Sequence, residues 1–116
     1  MGIERRQYQR FNVDWPGRIL LPGKEINEIS IFSASRGGLG IYFVYAIPVG
    51  TQVNIEFFVR NRHVKTRIRA VTHVIHNDIL AGNRGAKVGL HFQQMTSENM
   101  HALANALHED GQPSLE

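Results

Sequence analysis

Two short stretches hold the residues best suited to chemistry. The first is an arginine cluster, Arg5-Arg6-Gln7-Tyr8-Gln9-Arg10, and the second a serine-glycine turn, Ser33-Ala34-Ser35-Arg36-Gly37-Gly38. An arginine side chain offers five donors on a planar cation. It can fork onto a phosphate, pair with the O6 and N7 edge of guanine, or stack on a base. The second stretch supplies small hydroxyls and glycines, whose backbone N–H groups can approach an anion because no Cβ intervenes. Neither stretch is specific alone; together they have the makings of a clamp for phosphate and guanine.

The elements that must position these residues read as a series of strands followed by one helix. Phe11, Val13 and Trp15 alternate, Pro16-Gly17 interrupts, and Ile19 to Leu21 runs into the turn Pro22-Gly23. A strand spans roughly Lys24 to Phe32, and another runs from Leu39 to Tyr45. Val53, Ile55, Phe57 and Val59 keep period two, as do Val64, Thr66, Ile68, Ala70, Thr72 and Val74 after the polar turn Arg60 to His63, which predicts a long hairpin. Asn77 to Gly85 reads as a loop and Ala86 to Phe92 as the last strand. Thr96 or Ser97 can cap a helix whose apolar stripe is Met100, Leu103, Ala104 and Leu107, stopped by Gly111 and Pro113. At about twelve residues it is too short to stand alone and is expected to pack on the sheet. The fold class is therefore mainly β: a six-stranded, antiparallel, Greek-key-like barrel, closed or nearly closed because closure removes exposed strand edges, with a C-terminal α-helix. The expected organisation is a flexible basic arm over 1–10, a barrel over 11–95, a helix over 96–110 and a tail over 111–116.

Arm and turn together resemble the PilZ family, the bacterial receptor domains for cyclic di-GMP. That family carries an N-terminal RxxxR, often preceded by another Arg, and a downstream [D/N]xSxxG at the start of a strand. Arg6 and Arg10 fill RxxxR, Arg5 is the preceding residue, and Ser35 and Gly38 fill SxxG; Ser33 stands where Asp or Asn is expected. The runs Gly37 to Ile41 and Val88 to Phe92 also read like family strands, so the resemblance covers roughly residues 4 to 108. It implies that Arg6 and Arg10 bind phosphate and the guanine Hoogsteen edge, that Arg5 stacks or adds a phosphate contact, and that Ser35 and Gly38 touch the ligand from the turn. Ser33 would face the guanine Watson–Crick edge with a shorter reach than a carboxylate. The function implied is a cytoplasmic receptor whose arm is ordered by cyclic di-GMP and which then signals to a protein partner not identifiable from sequence. The alternatives are a PilZ-like adaptor that does not bind the nucleotide, and a small nucleic-acid-binding barrel.

Composition narrows the classes. At 116 residues, 42% hydrophobic and 20% charged, the chain has ordinary globular values for one domain. It has no cysteine, which excludes a disulfide framework or a thiol nucleophile. No apolar run is long enough to span a bilayer. Net charge is +3, but Arg60, Arg62, Lys65, Arg67 and Arg69 crowd a ten-residue stretch without an acid. Strand alternation makes Arg67 and Arg69 part of a solvated face, and no nucleic-acid-binding motif accompanies them. No metal site is expected: His73 and His76, three apart on a strand, are placed on opposite faces. No cofactor and no catalytic residue is expected either, since Ser33 and Ser35 lack a nucleophile elbow and no carboxylates form a spaced pair.

Overall fold

A computed structural model describes residues 8–23 and 25–113. Seven strands and one α-helix follow one another as β1 (Phe11–Leu20), β2 (Ile26–Ala34), β3 (Gly38–Phe43), β4 (Gln52–Asn61), β5 (Val64–Ile79), β6 (Ala86–Gln94), α1 (Ser97–Asp110) and a two-residue β7 (Gln112–Pro113), with a single 3-10 turn, Ala81–Asn83, between β5 and β6. The sheet order is β2-β3-β6-β5-β4-β1, and β1 pairs back onto β2. This closes a six-stranded antiparallel barrel whose joins β3 to β6 and β1 to β4 are between strands distant in sequence. The core inside it includes Ile19, Ile31, Ile41, Val53, Phe57, Ile68, Val74 and Leu90. Trp15, 4% exposed, stacks on Phe57 with ring centroids 5.8 Å apart.

Period two locates the strands but not every boundary. Pro16-Gly17 does not interrupt β1, which pairs with β2 on both sides of it. Pairing with β4 begins only at Gly17, so a residue without an N–H is accepted where one side of β1 is still open. β2 reaches Ala34 rather than ending at Phe32, and β5 runs to Ile79, through the start of the expected loop. The β4–β5 hairpin is as long as its alternation predicts and turns at Arg62 and His63, both at positive φ (51° and 69°), the conformation of a two-residue hairpin turn.

The Thr96 side chain caps α1 by accepting from the Asn99 N–H at 3.1 Å. The helix lies on β4 and β5 and buries Leu103, Ala106 and Leu107. Ala106, not the expected Ala104, completes the buried face. Beyond the helix, Gln112-Pro113 pairs with Phe11-Asn12 where only a tail was expected. The Glu109 carboxylate accepts from the Arg62 backbone N–H, so the helix end also holds the β4–β5 turn.

Candidate functional site

The serine-glycine turn joins β2 to β3, and its own hydrogen bonds hold it. Ser35 Oγ accepts from the N–H groups of Gly37 and Gly38 at 3.0 and 3.2 Å, while the Ser35 N–H donates to the Gly38 carbonyl. The Gly37 carbonyl accepts from the Phe92 N–H, tying the turn to β6. Both glycine amides are thus directed to Ser35, and the serine hydroxyl proton is the group the turn can direct to a ligand. Glycine at 38 has a packing reason: a Cβ there would lie 2.1 Å from the Leu90 carbonyl oxygen.

The end of the basic arm is seated beside this turn. The Arg10 guanidinium donates to Ser33 Oγ at 3.1 Å. Ser33 is 5% exposed, so the residue standing in the Asp/Asn position is an acceptor beneath Arg10. Tyr8 lies against Gly37, where a Cβ would come within 3.0 Å of its ring, and the Arg36 guanidinium sits 5.7 Å from the Tyr8 ring centre. The structure therefore brings together Arg10, Ser33, Ser35 and Gly38. Arg5 and Arg6 lie outside the described residues.

These groups border a cleft of about 830 Å³ on the outer face of β3 and β6, lined among others by Tyr8, Arg10, Phe32, Ser35, His76 and Lys87. Cross-strand pairs form its floor: Gly38 with His91, Gly40 with Gly89, and Tyr42 with Lys87. Phe32, His76 and Lys87 escaped the sequence reading because a bulge placed two of them. In β5 the register passes from Val74 opposite Leu90 to His76 opposite Gly89, leaving Ile75 as an extra residue. An extra residue reverses the alternation beyond it. His76 consequently shares the outer face with His73 instead of opposing it, and Asn77 turns inward, where its amide exchanges hydrogen bonds with the Ile47 backbone at 2.9 and 2.7 Å. His73 and His91 approach to 5.4 Å between ring centres, yet no group of three potential metal ligands converges among the described residues.

On the far face, Arg18, Arg67 and Arg69 converge on the Glu56 carboxylate, Arg67 and Arg69 at 3.7 and 3.2 Å. The hydrogen bond from Arg18 is the main reason that its carboxyl titrates below the usual range, with Arg69 and Arg67 adding to the effect against partial burial. The basic stretch is thus a solvated strand face, with Arg67 and Arg69 both exposed and organised by one acid.

The family model described as PilZ domain matches residues 4–109. No curated protein sequence matches the chain significantly. Among solved structures, the Bacillus subtilis inhibitor of motility (MotI/DgrA) is similar with a TM-score of 0.79 at 16% identity, over 92% of this chain and 51% of that one. The PilZ domain of YcgR from Escherichia coli, with c-di-GMP, gives 0.65 at 16% identity over 91% of both chains. Longer YcgR from Escherichia coli, in complex with c-di-GMP, gives 0.71 at 14% identity over 92% of this chain and 46% of that one. The chain therefore spans about half the length of MotI/DgrA and of the longer YcgR chain.

Proposed function

The chain belongs to the PilZ domain family, and from that premise we propose that it is a receptor for cyclic di-GMP, which binds in the cleft between the arm and the β3–β6 face. The observation that carries this reading is the seating of Arg10 beside the Ser35–Gly38 turn at the mouth of that cleft. The c-di-GMP complexes of the YcgR structures support it. In this reading Arg5, Arg6 and Arg10 supply the cations for two phosphates and a guanine edge, and Ser35 donates its hydroxyl proton. Arg10 is already lodged on Ser33. In this reading the ligand's two phosphates offset the mutual repulsion of Arg5, Arg6 and Arg10, and the liganded arm becomes a surface for a protein partner. The domain acts as a receptor and adaptor, not as an enzyme.

A second reading, an adaptor that does not bind the nucleotide, is favoured by Ser33, which offers a hydroxyl where a carboxylate or amide is expected and spends it on Arg10. Calorimetric titration with cyclic di-GMP, with GTP and single-stranded RNA as controls, separates the two. Saturable binding of cyclic di-GMP alone is expected, weakening as salt rises. Arg6→Ala or Arg10→Ala should each remove charge-assisted contacts of roughly 1.5–3 kcal/mol, about ten- to a hundredfold or more in affinity, without loss of fold. No binding by the parent leaves the adaptor.

A further inference from the structure

Phe32 occupies a position that the barrel core does not require. In β2 the register passes from Ile31 opposite Ile41 to Ser33 opposite Gly40, so Phe32 is the extra residue of a bulge and points to the outer face, into the cleft. Bulges re-aim side chains in this way beside binding sites. The ring is set low against the sheet because its neighbour is glycine: a Cβ on Gly40 would meet Phe32 Cζ at 2.9 Å. It is braced by Tyr42, with ring centroids 4.6 Å apart, and the Lys87 Nζ lies 5.3 Å from its centre. The result is a flat ring on the floor of an open cleft, with a cation over it.

The shelf continues from the seat of the arm: Arg10 is held by Ser33, the residue after Phe32, and the ring covers Gly40, which pairs with Ser33. Gly38 ends the serine-glycine turn, and Tyr42, which pairs with Lys87, is four residues further along β3. At the rise of a strand the Lys87 end of the shelf is thus roughly 13 Å from the turn, with the Phe32 ring over Gly40 between them. We propose that Phe32 is a purine-stacking subsite with Lys87 as its anion-binding or guanine-edge cation, so that the shelf continues along β3 the site that the arm begins. This deepens the cyclic di-GMP reading and rests on it. Stacking on an aromatic face suits a purine ring, and an ammonium suits phosphate oxygens or the O6 and N7 acceptors of guanine.

The test compares the parent with Phe32→Leu, which keeps apolar contact over Gly40 but removes the ring face, and with Lys87→Met, which keeps the stem and removes the charge. Calorimetric titration with cyclic di-GMP should show affinity about tenfold weaker in each. Lys87→Met should also flatten the salt dependence of binding. In NMR spectra the guanine H8 resonance should move upfield on binding to the parent and less on binding to Phe32→Leu. Thermal melts check that both variants fold, and Lys87→Met, at the surface, keeps the test valid if Phe32→Leu does not. If the parent binds while Lys87→Met and any folded Phe32→Leu match its affinity and H8 shift, the shelf is packing alone and the cyclic di-GMP reading stands. If the parent does not bind, both fall.

Discussion

At the scale of single residues the site is built from hydroxyls that serve the protein before they serve a ligand. Ser33 receives Arg10, and Ser35 receives two glycine amides. Ser35→Ala should therefore loosen the turn even without ligand, at a cost of roughly 1–2 kcal/mol in urea unfolding, since two N–H groups lose their acceptor. Ser33→Asp should do the reverse. A carboxylate under Arg10 converts a hydrogen bond to an ion pair and fixes the guanidinium before ligand arrives, so that less ordering remains to be done on binding. Cyclic di-GMP affinity should rise about five- to tenfold, read by calorimetry. Weaker binding in Ser33→Asp would mean that the acid withholds Arg10 from the ligand, and the ordering account would fail.

At the scale of elements, two glycines decide how closely β3 approaches its neighbours. The Cβ of Gly38→Ala would press on the Leu90 carbonyl, backbone that cannot swing aside as a side chain can. The expected loss is roughly 1–3 kcal/mol, with the β3–β6 amides exchanging faster in hydrogen-exchange measurements. Gly40→Ala instead meets the Phe32 ring, which can move, so stability should change less than in Gly38→Ala. The helix is tied to the barrel through Leu103, which is fully buried. Leu103→Ala should cost roughly 2–5 kcal/mol in denaturant unfolding, whereas Thr96→Ala, losing only the cap, should cost about 1 kcal/mol.

For the whole molecule, closure depends on β1 meeting both β2 and β4. The Glu56 network spans that closure, since Arg18 is on β1, Glu56 on β4, and Arg67 and Arg69 on β5. Its arginines hold the Glu56 carboxyl below the ordinary value of 4.5. The sign follows from linkage: with the folded value depressed, the unfolded chain takes up the proton first as pH falls. The contribution to stability is complete above the ordinary value and is lost as pH drops through the lower folded one. Thermal melts of the parent should therefore fall more steeply below about pH 4.5 than those of Glu56→Gln, whose stability lacks that component. Because the arginines are exposed, the difference should shrink in high salt.

What the sequence by itself determined is the alternation of β4, β5 and β6, the capped helix, and the two motifs that join arm to turn. These are local properties: period two, capping chemistry and glycine spacing act within a few residues. Tertiary structure decided whatever depends on a partner strand. A bulge at Ile75 reversed the faces of His76 and Asn77, and one at Phe32 sent a ring into the cleft; neither alters composition or the run of apolar residues, because a bulge exists only relative to the strand opposite. Pro16 remained inside β1 for the same reason, since β4 begins pairing one residue later. The lodging of Arg10 on Ser33, twenty-three positions away in the chain, likewise required β2 and the arm to be side by side. The motifs announced which residues could bind an anion; only the closed barrel decided which were already holding each other.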